Sequence, residues 1–209
     1  MIQYNTIQKE GYAEQIIDKS RFIAYVCPVD SKEEADAFIT KIKAKHKDAT
    51  HNVPAMVIGD KFQIQWASDD GEPQGTSGAP MVQMLVKEGL TNLVVVVTRY
   101  FGGIKLGTGG LVRAYTGSAK LGIKAAGICA VKDMCLVSVK LDYTYLSKLQ
   151  NVSQNGNFEI QDLIYEDSVK AILLVEPEKK EDLRILIANL TSGTGVLLEE
   201  KIEQIKVAI

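Results

Sequence analysis

The sequence has few cysteines and histidines, no long apolar run and little net charge. Its 209 residues include 3 cysteines and 2 histidines. The 24 Lys and Arg residues are nearly balanced by 26 Asp and Glu residues, which gives a net charge of −2. The balance of charge excludes a generally basic nucleic-acid coat protein, and a hydrophobic content of 46% excludes a disordered chain. The longest apolar runs, such as 93–97, are far shorter than the roughly 20 residues that cross a bilayer.

The first residues and the cysteines indicate a compartment. The opening MIQYNTIQKEGY lacks the basic and then apolar pattern of a secretory signal, so we expect a cytoplasmic protein with no membrane partner. Cys27, Cys129 and Cys135 form no C-x-x-C pair and are expected to be reduced thiols. With so few histidines beside them, a structural zinc site is not expected. Nothing in the sequence indicates DNA specificity.

Residues 1–131 show the patterns of a mixed α+β domain. Alternating residues predict an antiparallel hairpin over 12–29, and Ser31 with Glu34 forms a capping box that opens an amphipathic helix. The elements expected after it are a hairpin over 53–67 around Gly59-Asp60, a helix from about Pro80, a buried strand over 93–98, a loop over 99–107 and a helix over 108–126.

Residues 132–209 predict a second, ferredoxin-like domain. Their patterns give the order β-α-β-β-α-β, with strands over 136–143, 158–165, 170–176 and 196–205 and helices over 145–154 and 181–190. Within fewer than 80 residues this order is typical of the split βαβ arrangement. We therefore expect an α+β protein of two domains, 1–131 and 132–209.

Glycine is concentrated in one part of the chain. Of 17 glycines, 10 lie within residues 71–117. Such clustering indicates tight turns or a close approach of the backbone to a bound group. Two glycine-rich segments, 68–80 and 99–110, each lead into a predicted helix, and free backbone amides at a helix start bind anions.

The basic and aromatic residues around these segments favour an anion or nucleic-acid site. Arg99, Lys105 and Arg113 flank the second segment, and Tyr100, Phe101 and Tyr115 supply rings on which a base can stack. Turn geometry and core packing are the alternative explanation. The predicted anion-binding or nucleic-acid-binding residues are Arg99, Tyr100, Gly102, Gly103, Lys105, Gly107, Thr108, Gly109, Gly110 and Arg113, with Thr76, Ser77 and Gly78.

An acidic group precedes the first glycine-rich helix. Asp69, Asp70 and Glu72 carry enough oxygens to hold Mg²⁺ against a phosphate, or they form a turn through hydrogen bonds to their own backbone. His51 is an acid or base candidate, although a single histidine is more often structural. No base and nucleophile pair is evident from spacing.

Standard nucleotide and hydrolase motifs are missing from the sequence. There is no Walker A loop, residues 107–112 place valine where a dinucleotide fold needs glycine or alanine, and no G-x-S-x-G elbow occurs. These mismatches argue against the common ATPase, dehydrogenase and α/β-hydrolase classes.

Four segments together resemble the YigZ/IMPACT family in its bacterial two-domain form. They are SDDGEPQGTSGAP at 68–80, VTRYFGGIKLGTGGLVRAY at 97–115, KSRFI at 19–23 and ATHN at 49–52. The resemblance implies an N-terminal domain with the fold of a ribosomal-protein domain shared with ribonuclease PH, and a C-terminal domain like the last domain of elongation factor G. It also implies a link to translation control, which is known for the eukaryotic members.

Three hypotheses follow. The first is a non-catalytic, translation-linked regulator that binds RNA, the ribosome or a ribosome-associated factor through the Gly/Arg-rich face and needs no cofactor. The second is a Mg²⁺-dependent enzyme acting on a phosphorylated small molecule or a phosphodiester, with Asp69, Asp70 and Glu72 as metal ligands. The third is a protein-interaction module that uses its C-terminal sheet.

Overall fold

The computed structural model describes residues 2–209, which divide into two compact units. One unit comprises residues 2–131 together with 206–209, and the other comprises residues 132–205. Each unit combines α-helices with antiparallel strand pairs. The predicted mixed α+β class is therefore confirmed.

The first unit is built on a five-stranded antiparallel sheet with the strand order β2-β3-β6-β4-β5. A strand at the beginning of the chain, β1, was not expected from the sequence patterns. The elements are β1 (Ile2–Ile7), β2 (Gly11–Ile17), β3 (Ser20–Pro28), α1 (Lys32–Lys45), β4 (His51–Ile58), β5 (Ile64–Ala67), α2 (Gly78–Lys87), β6 (Leu93–Tyr100) and α3 (Gly107–Ala126).

The middle strand, β6, is buried on both faces of this sheet. Its β-branched sequence LVVVVTRY suits a strand with neighbours on both sides and helices above and below. Val95 and Val97 pack with α2 and α3 on one face, while Val94 and Val96 pack with α1 on the other. The first unit therefore has three layers.

Local sequence signals determine two of the predicted features. The β2–β3 hairpin turns at Asp18 and Lys19, both with positive φ (44° and 63°), as a two-residue turn requires. At the start of α1, the Ser31 hydroxyl accepts from the Glu34 amide at 3.2 Å. The Glu34 carboxylate accepts from the amide of Asp30 rather than that of Ser31, at 2.9 Å.

The prediction of a loop over 99–107 is wrong at its first two residues. Strand β6 continues to Tyr100, because backbone pairing with β3 extends to the Arg21–Tyr100 partners. On the other side β6 pairs with β4 as far as His51 and Arg99. Arg99 is thus a strand residue with neighbours on both sides, which places its side chain in the protein interior.

The second unit has the element order β-α-β-β-α-β that the sequence patterns predict. In its sheet β7 pairs with β9, β9 pairs with β8, and β10 pairs with β7. Among residues 2–209, no helix combines the length and apolar character that crossing a membrane requires. The elements are β7 (Ile128–Leu141), α4 (Leu146–Ser153), β8 (Glu159–Tyr165), β9 (Val169–Val175), α5 (Lys180–Leu190) and β10 (Val196–Ala208).

Candidate functional site

The C-terminal end of β6 brings the candidate site residues together. Arg99 is the Cα partner of Phe22 on β3 and of His51 on β4. Because side chains alternate along a strand, Arg99 follows Val95 and Val97 onto the face covered by α2 and α3. The chain then forms a loop over 101–106 and enters α3.

Glu72 is the centre of a buried polar cluster at this end of the sheet. Arg99 Nη1 donates to Glu72 Oε1 at 2.7 Å, and the Tyr115 hydroxyl donates to the same oxygen at 2.6 Å. Burial, and then the hydrogen bond to Glu72, raise the pKa of Tyr115. Tyr115 therefore remains protonated and acts as a donor, so the Glu72 carboxylate is held by two donors.

The Arg99 guanidinium lies between two aromatic rings. Its Cζ is 5.3 Å from the ring centroid of Phe22 and also 5.3 Å from that of Phe101, the geometry of a cation–π contact. Nη2 donates to Ser20 Oγ at 3.3 Å, whereas the buried Nε has no hydrogen-bond partner within residues 2–209. Arg99 is only 5% exposed, so its first role is to neutralise Glu72 in the interior.

His51 is held in one tautomer by the backbone. Its Nδ1 lies 2.8 Å from the carbonyl oxygen of Asp70, and because a carbonyl only accepts, Nδ1 carries the proton. The other ring nitrogen, Nε2, lies 3.7 Å from Glu72 Oε1, beyond hydrogen-bond distance. His51 thus directs Nε2 toward the polar cluster.

A cavity of about 410 Å³ opens beside this cluster. Its volume falls within the range of roughly 300–1,000 Å³ that is usual for small-ligand sites. The cavity combines a polar floor, an apolar wall and the start of α3. Its lining residues are Thr50, His51, Glu72, Pro73, Arg99, Phe101, Lys105, Leu106, Gly107, Thr108 and Leu111.

The start of α3 forms one side of the cavity and is electropositive. The 20-residue helix has no acidic residue in its first turn and, within the described chain, no side-chain cap. Gly107 has a φ of +71°, a conformation that glycine adopts without strain. Lys105 and Arg113 are both exposed, so their charges add to the positive end of the helix dipole.

The loop that precedes α3 is held close to the β2–β3 turn. The Gly102 amide donates to Ser20 Oγ at 3.2 Å. A Cβ at Gly102 would lie 2.0 Å from the carbonyl carbon of Lys19, so only glycine fits there. Together with the hydrogen bond from the Phe101 amide to Thr50 Oγ1 at 3.0 Å, this contact holds the backbone at the beginning of the loop.

In the first glycine-rich segment, backbone amides bind a carboxylate of the same segment. Asp69 accepts from the amides of Gly75, Ser77 and Gly78 and from the Ser77 hydroxyl, at 2.6 to 3.2 Å. Burial alone would raise the pKa of Asp69, but these hydrogen bonds outweigh it and lower that pKa. The Thr76 hydroxyl donates to the carbonyl of Pro73. The donors at the start of α2 are therefore already used.

The other two acidic residues also have partners of their own. Asp70 accepts from Lys43 Nζ at 2.6 Å and from the Asn52 amide at 2.7 Å, while Glu72 accepts from Arg99 and Tyr115. Among residues 2–209, no three His, Cys, Asp or Glu side chains are grouped as metal ligands. The structure thus directs the three candidate carboxylates to separate partners.

Tyr100 lies on the opposite face of the sheet from the cavity. Its hydroxyl is 2.8 Å from His46 Nδ1, and His46 Nε2 is 2.8 Å from the Tyr25 hydroxyl. Burial, then the charges of Lys45 and Arg21, lower the pKa of His46. The neutral imidazole links the two tyrosines. Of the three rings that the sequence suggested for stacking on a base, Phe101 lines the cavity, Tyr100 lies on the other face and Tyr115 is fully buried.

Comparison with known proteins identifies the family of this chain. Residues 18–123 match the Impact N-terminal domain, and residues 139–194 match a domain of unknown function (DUF1949). The chain is 40% identical to the IMPACT family member YvyE of Bacillus subtilis over 206 residues, which cover 99% of this chain and 95% of the relative. This chain belongs to the IMPACT family. The family resemblance seen in the sequence is confirmed.

Other known proteins match over different lengths. The IMPACT family member YigZ of Escherichia coli is 33% identical, covering 87% of this chain and 90% of its own. A solved structure described as a hypothetical protein is 31% identical, with a TM-score of 0.59, covering 95% of this chain and 97% of its own. The yeast Protein IMPACT homolog matches over 106 residues only, 47% of this chain.

The predicted site residues of this IMPACT chain separate into three groups. Four line the cavity: Arg99, Lys105, Gly107 and Thr108. Five adjoin it in sequence: Gly102, Gly103, Gly109, Gly110 and Arg113. The remaining four are Tyr100 on the other sheet face and Thr76, Ser77 and Gly78 around the start of α2.

Sequence reasoning missed several residues that complete the cavity. Thr50 and Pro73 line it, and Leu106 and Leu111 form part of its apolar wall. Thr50 belongs to the family-like segment 49–52, which is the one signal that could have drawn attention to it. Leu106 directly precedes α3 and Leu111 lies within it, and only the fold shows that both face a cavity.

Proposed function

We propose that this IMPACT family chain is a translation-linked regulatory protein that binds RNA, including RNA within the ribosome, through the start of α3 and the loop before it. The observation that carries the proposal is the uncapped start of α3 with exposed Lys105 and Arg113 and no acidic residue in its first turn. Such a helix end attracts phosphate through its backbone amides and its dipole.

The family supports the link to translation. Eukaryotic relatives named Protein IMPACT or Protein IMPACT homolog match 43–47% of this chain, and the family resemblance associates those members with translation control. The domain resemblances point the same way: a ribosomal-protein or ribonuclease-PH-like fold for the first unit, and a ferredoxin-like domain similar to the last domain of elongation factor G for the second. Because a fold alone does not determine function, these resemblances support the proposal without replacing its site.

The geometry does not favour the Mg²⁺-dependent alternative. A divalent ion needs several carboxylate oxygens that face one point, whereas Asp69, Asp70 and Glu72 each accept hydrogen bonds from different groups. The function without a cofactor and the cytoplasmic location stay predictions.

Sedimentation with ribosomes across a salt series tests the proposal. We expect the purified chain to co-sediment at low salt and to be released as salt rises, because displaced counterions make phosphate binding salt-dependent. The double variant Lys105→Ala/Arg113→Ala should co-sediment more weakly. Lys87→Ala/Lys124→Ala is the matched control, since it removes two exposed lysines from the last turns of α2 and α3.

Two further arms identify the partner. Binding to salt-washed ribosomes and to purified ribosomal RNA would support RNA as the direct ligand. Binding to crude ribosomes alone would instead indicate a ribosome-associated factor and contradict the RNA proposal. Equal binding by both double variants would show that the start of α3 is not the site.

A further inference from the structure

We propose that the cavity at the end of β6 takes one unpaired nucleotide, with its base against Phe101 and its phosphate at the start of α3. The inference rests on the proposed function and names the part of the RNA that the site binds. It is carried by three features of the cavity: an aromatic wall, a cationic helix start, and two polar atoms on its floor that protein groups leave without hydrogen bonds.

The aromatic wall provides a surface for a base. Phe101 lines the cavity and is 46% exposed, whereas the other four phenylalanines of the chain are buried or half-buried. The Arg99 guanidinium lies 5.3 Å from the ring centroid, and the contact of Gly102 with Ser20 fixes the backbone next to it. An exposed aromatic ring is a stacking platform for a base of any identity.

The opposite side of the cavity suits a phosphate. Lys105, Gly107 and Thr108 all line it, and together they offer an ammonium group, the first backbone amides of α3 and a hydroxyl. The lining contains one carboxylate, Glu72, which already accepts from Arg99 and Tyr115. The charge left for a ligand to meet at the helix start is therefore positive.

The floor supplies a buried donor and a histidine nitrogen. Arg99 is 5% exposed and lines the cavity, and its Nε proton has no acceptor within the described chain. His51, its strand partner, also lines the cavity, and its Nε2 is left for a ligand because Nδ1 is bound to the Asp70 carbonyl. Ribose hydroxyls and base edges carry donors and acceptors side by side, so a nucleotide can pair with both atoms.

The size of the cavity suits a single nucleotide. Its volume of about 410 Å³ lies in the lower part of the range that is usual for small-ligand sites. A base in a duplex is stacked and paired, so it must leave the helix to reach Phe101. Single-stranded RNA, or the end of a strand, is therefore the form that fits.

Calorimetric titration of the full chain tests the inference. The probes are AMP, UMP, adenosine, ribose 5-phosphate, a single-stranded octaribonucleotide and the same sequence as a duplex. We expect AMP and UMP to bind more tightly than adenosine or ribose 5-phosphate, and the single strand to bind more tightly than the duplex. A single strand that binds at least tenfold more tightly than AMP identifies RNA as the source of the nucleotide.

Two variants separate the base from the phosphate. Phe101→Ala should weaken nucleotide binding about tenfold or more and leave ribose 5-phosphate binding unchanged. The control is Ile104→Ala, which changes an exposed residue of the same loop that does not line the cavity. This control should change neither nucleotide binding nor ribose 5-phosphate binding. Thr108→Glu should weaken every phosphate-containing probe. An acidic residue in a first helical turn favours the helix, so this variant stays folded, and Thr108→Gln is its uncharged control.

The outcomes distinguish the inference from the proposed function. If Phe101→Ala leaves nucleotide and RNA binding unchanged while Thr108→Glu weakens RNA binding, the inference fails and the start of α3 stands as the RNA site. If RNA binds normally to both variants, both fail. If mononucleotides bind in the cavity as tightly as RNA, and ribosomes do not bind, the nucleotide site stands and the proposed function fails. If no probe binds, both fail.

Discussion

Arg99 Nη1 donates a hydrogen bond to Glu72 Oε1 over 2.7 Å, and the two side chains are only 6% and 3% exposed. The pair joins the loop after β5 to the end of β6, 27 residues apart. Because a buried charge is costly unless it is paired and hydrogen-bonded, each residue requires the other. The pair therefore determines where the polar floor of the cavity forms.

Removing Arg99 should destabilise the first unit strongly. Arg99→Ala leaves the Glu72 carboxylate buried with a single donor, and breaking a buried pair in this way costs about 3–5 kcal/mol. Urea unfolding followed by circular dichroism measures the loss. Arg113→Ala, which removes an exposed arginine, should stay within about 0.5 kcal/mol of wild type. Equal stability of both variants would show that the pair contributes little.

Tyr115 should make stability depend on pH in the alkaline range. Its pKa in the folded state is raised above the ordinary 10.0 by burial and by the hydrogen bond to Glu72. Above pH 10 the unfolded chain loses the phenolic proton first, so the free energy of unfolding falls as pH rises. Below pH 10, Tyr115→Phe should be less stable by about 1.5–3 kcal/mol, the value of a hydrogen bond to a charged group.

The comparison with Tyr115→Phe isolates this residue from other groups that titrate at high pH. The difference in unfolding free energy between wild type and variant should narrow above pH 10, by up to about 1.4 kcal/mol per pH unit. Urea titrations from pH 8 to pH 11 measure it. A difference that stays constant over this range would contradict a raised pKa for Tyr115.

Features encoded within a few residues could be predicted from the sequence. The capping box at Ser31 and Glu34 and the β-branched run of β6 depend on neighbours three or four positions away, or on composition. The glycine-rich run 107–110 likewise marked the start of α3. For these elements the local preference and the tertiary structure agree, so patterns alone predicted them well.

The roles of the charged residues could not be predicted, because their partners are distant in sequence. From sequence alone Arg99 is predicted to be a loop cation, and only the strand pairing of β6 shows that its side chain is in the interior. Glu72 is hydrogen-bonded to Tyr115, which lies 43 residues away in the sequence. Asp69 bonds to Ser77 and Gly78 only eight or nine positions on, but several loop conformations are compatible with that spacing. Position in the fold, rather than residue type, separates structural charges from those available to a ligand.

Asp69 should stabilise the fold above the acid range. Hydrogen bonds from the start of α2 lower its pKa in the folded state below the ordinary 3.8. The folded state therefore favours the carboxylate, and the stabilisation is present above pH 3.8 and lost as pH falls through the folded-state pKa. Wild type should exceed Asp69→Asn in stability at pH 6, with the difference shrinking below pH 3.8.

Urea unfolding at pH 6, 4 and 3 measures this difference. Asp48→Asn, which changes an exposed carboxylate in the turn after α1, is the matched control and should show a smaller effect at pH 6. A difference for Asp69→Asn that is independent of pH would show that the charge of Asp69 is not what holds the start of α2.

The salt dependence of RNA binding should report the cations at the start of α3. For a single strand, log Kobs falls with log salt concentration by about 0.7 for each phosphate neutralised. If Lys105 and Arg113 each contact one phosphate, Lys105→Ala/Arg113→Ala should reduce the slope by about 1.4. The slope is measured by fluorescence anisotropy of a labelled octaribonucleotide at salt concentrations from about 25 to 200 mM. Lys87→Ala/Lys124→Ala should keep the wild-type slope, and an equal reduction in both variants would mean that the effect is general charge rather than contact at this helix start.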